Sequence, residues 1–84
     1  MQMDKRIGTI TIIITNRARQ SENVNRILSE FGDAIIGRMG IPYAPEGLHI
    51  IALIVHASTD VIGALTGKLG LLEGVQVKSA LTKA

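Results

Sequence analysis

Apolar and polar residues alternate along "RIGTITIIITN", Arg6 to Asn16. Ile10, Ile12 and Ile14 share one face of the strand this predicts. Thr9, Thr11, Ile13 and Thr15 share the other. "RARQ" reads as a polar loop, and Ser21 as the cap of a following helix, its hydroxyl accepting from a free amide of the first turn. Val24, Ile27, Leu28 and Phe31 then recur at i, i+3, i+4 and i+7, one apolar stripe of a helix. Gly32 stands where a left-handed terminal residue is expected. "DAIIGRMGI" (33–41) predicts a second strand, "PYAPEG" (42–47) a loop, and "LHIIALIVH" (48–56) a third strand. Ser58 or Thr59 caps a second helix, with Asp60 complementing its dipole. On that helix Val61, Leu65, Leu69 and Leu72 share a face. Gly70 and Gly74 mark its exit, and "VQVKSALT" (75–82) is a fourth strand.

The order is β-α-β-β-α-β, with a faint internal repeat that sets "ENVNRIL" (22–28) against "TDVIGAL" (59–65). Two such halves predict one α+β domain over residues 1–84 in the ferredoxin-like arrangement: a four-stranded antiparallel sheet with two helices on one face. Strands 1 and 3 are then central. Strands 2 and 4 are edges, in keeping with their Arg38, Gln76 and Lys78. Strand 3 departs from the pattern of a half-solvated sheet. Ile51, Leu53 and Val55 line one face with His49, and Ile50, Ala52 and Ile54 line the other with His56, so both faces are apolar. Each aliphatic side chain buried is worth about 1.5–3 kcal/mol. The uncovered face therefore predicts a homo-oligomer, dimer or tetramer, whose sheets cover one another.

Composition sharpens this picture. Of 84 residues, 46% are hydrophobic and the mean hydropathy is +0.33, rich for a chain with so small an interior. No apolar run reaches the roughly 18 residues of a membrane span, and the N-terminus lacks a signal-peptide core, so a cytoplasmic location is expected. There is no cysteine, hence neither a disulfide nor a thiolate nucleophile or metal ligand. The net charge is only +2, and Phe31 and Tyr43 are the sole aromatics, too few for a base-stacking surface. Direct nucleic-acid binding is not expected.

Both histidines flank the apolar run Ile50–Val55. Seven residues apart in one strand, His49 and His56 point to opposite faces about 23 Å from each other, so one chain cannot bring both to one ion. A metal-responsive sensor would have to use His49 across a subunit interface, and no metal or other cofactor is assigned. In the expected fold the end of strand 1, the start of helix 1 and the strand 2–3 loop meet at one edge. They gather Asn16, Arg17, Arg19, Gln20, Ser21, Tyr43 and His49 there. Free helix amides beside two arginines suit a carboxylate or phosphate, and Tyr43 offers an apolar wall with a polar tip. "GALTGKLG" lacks the spacing of a phosphate loop. Its Gly63, Gly67 and Gly70 form a bare strip on helix 2, open to close approach by a backbone or ligand. Catalysis finds little support. Arg17 or Arg19 with Asn16 or Asn23 would mimic an acylphosphatase, but the glycine-rich loop that precedes that family's arginine is missing.

Three stretches, "GTITIIITNR", "ENVNRILSEFGDAIIGRMGIPY" and "GLHIIALIVHAS" followed by "GLLEGVQVKS", resemble the small ACT-like regulators of the iron-only hydrogenase system. The likeness runs over residues 6–83. These proteins are in turn similar to the C-terminal domain of the nickel-responsive repressor, which approaches its last strand with a pattern like "LLEGVQV". The resemblance implies a non-enzymatic, oligomeric, ACT-like domain that binds a small ligand, often an amino acid, near the strand 1–helix 1 loop and the subunit interface. At the places of the repressor's nickel ligands this chain has Ile41, Tyr43 and His49, of which His49 alone ligates well, so the resemblance implies no square-planar nickel site. With five or six residues before strand 1, the repressor's DNA-reading module is not expected, and regulation of transcription is expected to run through a partner or not at all.

Overall fold

A computed structural model describes residues 4–15 and 17–83 of the chain. Strands β1 (Lys5–Ile14), β2 (Ile35–Tyr43), β3 (Leu48–Ser58) and β4 (Val75–Leu81) form one antiparallel sheet in the order β2-β3-β1-β4. Helices α1 (Arg17–Glu30) and α2 (Thr59–Gly70) cross over between β1 and β2 and between β3 and β4. This is the ferredoxin-like ACT arrangement, with the expected strands at the centre and at the edges.

Alternation sets the two faces. Ile10, Ile12 and Ile14 of β1 and Ile51, Leu53 and Val55 of β3 are fully or almost fully buried, and Val24, Ile27 and Leu28 of α1 and Ile62, Leu65 and Leu69 of α2 close over them. On the second helix the buried residue is Ile62, and the Val61 of the sequence reading is partly exposed. The repeat is thereby corrected by one position. Gln20, Val24 and Ile27 of the first half correspond in burial to Ser58, Ile62 and Leu65 of the second, 38 residues on.

Ser58 caps α2 as expected, its Oγ accepting from the Val61 amide at 3.2 Å. Ser21 does not cap α1, which begins at Arg17 and so includes "RARQ" as its first turn. Gly32 is not left-handed. It opens a short 3-10 turn (Gly32–Ala34), and the positive φ values belong to Gly47 and Gly74, at the turns into β3 and β4. Pro42 and Tyr43 extend β2 instead of forming a loop, and a bulge at Ile36 interrupts its pairing with β3. Across the helix layer Lys68 lies 3.7 Å from Glu30 and over the Phe31 ring, an exposed pair of small worth.

The opposite face of the sheet has no layer over it among the described residues. Register places Ile7, Ile13, Met39, Ile41, Tyr43, Ile50 and Ile54 there, interleaved with Thr9, Thr11, Gln76 and Lys78. Met39 is 63% exposed and Ile54 49%. No described helix is long and apolar enough to cross a membrane.

Candidate functional site

The junction of β1 and α1 is tied to the turn between α2 and β4. Thr15 donates to the Gly74 carbonyl twice, through its amide at 2.9 Å and its hydroxyl at 3.0 Å. One turn into α1, the buried Gln20 donates from Nε2 to the Glu73 carbonyl at 2.8 Å. Its Oε1 accepts from Asn23 Nδ2 at 3.1 Å, and Asn23 Oδ1 accepts from Arg26 at 3.2 Å. Arg19 adds an exposed ion pair to the Glu73 carboxylate at 3.6 Å. Gly74 is left-handed (φ 78°), and at this turn the Glu73 carbonyl meets α1 while the Gly74 carbonyl meets Thr15. Replacing Gln20 with alanine removes the Glu73 bond and leaves Asn23 without its acceptor. The expected loss is about 1 kcal/mol, a melting point lower by about 4–8 °C, read by thermal denaturation.

The remaining candidates divide between the two faces of the sheet. His49 pairs with Ile14 on β1 and Pro42 on β2, which puts it on the helix side, half-buried. The bare Gly40 makes room for it: a Cβ there would stand 3.3 Å from His49 Nε2. Ser21 lies on the flank of α1 that faces β2, one turn before Asn25, whose Oδ1 accepts from Arg38 of β2 at 3.2 Å. The Ser21 hydroxyl is out of reach of solvent and has no hydrogen-bond partner among the described residues. Tyr43 is corrected. It pairs with Leu48 on the open face, across the sheet from His49, and cannot wall the same pocket within one chain. Arg17 is the first residue of α1; its side chain and the whole of Asn16 lie outside the described residues. His56 is exposed on the open face opposite Ile7. Among the described residues no three His, Cys, Asp or Glu side chains gather as metal ligands.

The fold thus brings Arg19, Gln20 and Ser21 onto one end of α1 and leaves His49, paired with Ile14, at the end of β1 from which that helix starts. It adds Thr15, Glu73 and Gly74, which the sequence reading missed. Their part is played by two backbone carbonyls, and the only sequence signal was the punctuating glycine.

A family model described as "TM1266-like: Iron-only hydrogenase system regulator, putative" matches residues 6–79. Among solved structures, the uncharacterized protein TM1266 from Thermotoga maritima is 39% identical, with a TM-score of 0.91 over 95% of this chain and 100% of that one. The ACT domain of GTP pyrophosphokinase from Chlorobium tepidum is 22% identical, with a TM-score of 0.72 over 93% and 89% of the two chains. CPII, a nitrogen regulatory PII-like protein from Thiomonas intermedia bound to ADP, AMP and bicarbonate, is 15% identical, with a TM-score of 0.50 over 94% and 92%. No curated protein matches the sequence.

Proposed function

The chain belongs to the TM1266-like family, and from that membership we propose a non-enzymatic regulator, linked to the iron-only hydrogenase system, that senses a small anion or amino acid. The family and the ACT- and PII-like folds support a regulatory ACT-like role. The ligand is held at the first two turns of α1, where Arg17 and Arg19 draw its carboxylate or phosphate and the helix amides receive it. Occupancy is passed on through an assembly of copies whose open sheet faces cover one another. The PII-like neighbour, bound to ADP, AMP and bicarbonate, is an example of a similar fold holding anions.

One observation carries the ligand reading. Ser21 keeps a hydroxyl that is shielded from water and bonded to nothing described. Such a group costs about 1–3 kcal/mol, and a bound ligand that accepts or donates there removes the cost. Ser21→Ala is therefore expected to raise the melting point of the ligand-free protein and to abolish its response to ligand. A serine kept only for packing gives the first effect without the second.

The test is a thermal-shift series on the wild type with the common amino acids, small carboxylates and inorganic phosphate. At a hundredfold excess over Kd a binder adds about 2.7 kcal/mol, a shift beyond 10 °C in a chain of this size. At least one probe is expected to act, with the shift diminished in Arg19→Ala and lost in Ser21→Ala. No shift from any probe overturns the reading.

A further inference from the structure

The two halves of the chain treat their edge strands differently. Each helix overhangs one edge strand: α1 with Leu28 and Ser29 beside Ile35–Arg38 of β2, and α2 with Gly67 and Gly70 beside Val75–Ser79 of β4. On the β2 side the groove is bridged and its strand is guarded. Asn25 accepts from Arg38 across it, Ile36 bulges the strand, and Pro42 lacks an N–H. Bulges, prolines and charges are the usual guards of an edge. On the β4 side the residue equivalent to Asn25, 38 positions on, is Gly63. The strand pairs with β1 in unbroken register from Leu81 to Val75 and carries no proline. A Cβ built on Gly63, Gly67 or Gly70 meets nothing within 4 Å, so close packing inside the chain does not require these glycines. Each still weakens the helix by up to about 1 kcal/mol relative to alanine.

The ladder shows where the edge points. Thr15 donates to Gly74 and Thr82 donates to Ile7, and both pairs lie in the β1–β4 register. The alternation of an antiparallel pair then turns the even-numbered residues of β4 toward β1. The N–H and C=O groups of Val77 and Ser79 point out of the sheet.

We infer that this edge pairs with β4 of a second copy about a two-fold axis, with the glycine strips of the two α2 helices opposed across the seam. Paired strands lie about 4.8 Å apart. Helices that overhang two strands so joined come to the 8–10 Å separation at which helices touch, and bare glycines allow that approach. A two-fold through Lys78 would set like charges face to face. A two-fold through Val77, the midpoint of the grooved stretch, sets Gln76 against Lys78 of the other copy. An extended peptide from another protein would need side-chain pockets for specificity. Glycines and backbone supply none, whereas the same edge of a second copy is complementary by symmetry. The joined sheets also continue the open apolar faces of two copies into one surface.

Two substitutions disturb the seam and spare the monomer. Gly67→Gln puts a side chain into the groove at a position with free space and a gain in helix propensity. Ser79→Pro removes an outward N–H and leaves the ladder to β1 intact. In sedimentation velocity at micromolar concentration, each is expected to halve the particle mass with an unchanged far-UV circular dichroism spectrum. Hydrogen exchange gives the second readout. In the wild type the Val77 and Ser79 amides are expected to be protected, and in Gly67→Gln the Val77 and Ser79 amides to exchange at least about tenfold faster. The inference is independent of the sheet-face assembly, since Ile54→Lys, a change on that face, is expected to keep these amides protected. Unprotected Val77 and Ser79 amides in the wild type, or variants that retain the wild-type mass, overturn it.

Discussion

Ile54→Lys is expected to reduce the mass of the particle without harm to the fold, and Leu53→Ala, one residue earlier, to do the reverse. The two side chains leave the same strand in opposite directions. Leu53 is fully buried beneath the helices, among Ile10, Ile51 and Leu65. Leu→Ala in such a place costs about 2–5 kcal/mol, the lost transfer energy plus the cavity left behind. A chain of this length has only about 4–12 kcal/mol in total. A central loss of about 3 kcal/mol lowers the melting point by about 12–24 °C, leaving the surface that meets a second copy as it was. Ile54 is half-exposed between Thr9 and Gly37 on the open face. In a lone chain a lysine there keeps its ammonium in water. Under the sheet of another copy the ammonium is buried without a partner, which costs several kcal/mol. Sedimentation and circular dichroism on both variants decide the matter. A mass unchanged by Ile54→Lys would sink the view that the open sheet faces cover one another.

The same strand explains how much of the molecule was legible in its sequence. Strand parity is read directly from residue order, so the faces of β1 and β3, and the apolar side chains on both faces of β3, follow from the sequence alone. Helix ends are less legible. "RARQ" has no apolar residue to announce a turn of helix, because the residue it buries, Gln20, is held by its amide on the Glu73 carbonyl. Ser21 has the chemistry of a cap, yet the helix had already begun at Arg17. Val61 and Ile62 are both apolar and adjacent, so periodicity alone could not say which faces inward. The spacing to Leu65, Leu69 and Leu72 favoured Val61, and the buried residue is Ile62. Arg19, Ser21 and His49 were legible as a group because loop ends converge in this fold. The separation of Tyr43 from His49 was not, since it required knowing that Pro42 and Tyr43 continue β2 instead of turning out of it. Glu73 and Gly74 act through main-chain oxygens, which every residue type carries.

Gly8→Val is expected to cost about 3 kcal/mol, the upper part of the range for overpacking, and to loosen the end of β4. Gly8 sits in the central strand, paired with Val55 on one side and Leu81 on the other. A Cβ there would collide with the Leu81 side chain and stand 2.7 Å from the Ala80 carbonyl oxygen and 3.3 Å from Leu81 Cα. The Leu81 side chain is 38% exposed and can swing aside. The Ala80 oxygen cannot, because the ladder turns it toward β1 and any retreat breaks a bond of the pair. Beyond it the strand end is fastened by Thr82, whose amide and hydroxyl both donate to the Ile7 carbonyl, at 2.9 and 2.8 Å, while Arg6 reaches the Thr82 carbonyl at 3.4 Å. Relief of the clash must therefore pull on all of these. The measurements are a melting curve, expected to fall by about 12–24 °C, and hydrogen exchange at the Thr82 amide, expected to accelerate more than at Val75. The β1–α1 junction lies at the opposite end of β1, where Thr15 and Gln20 hold Gly74 and Glu73. A ligand that shifts the wild type should still bind the folded fraction of the variant. A Gly8→Val protein that melts like the wild type would mean that β1 and β4 do not meet in this register, and the outward direction assigned to Val77 and Ser79 would fall with it.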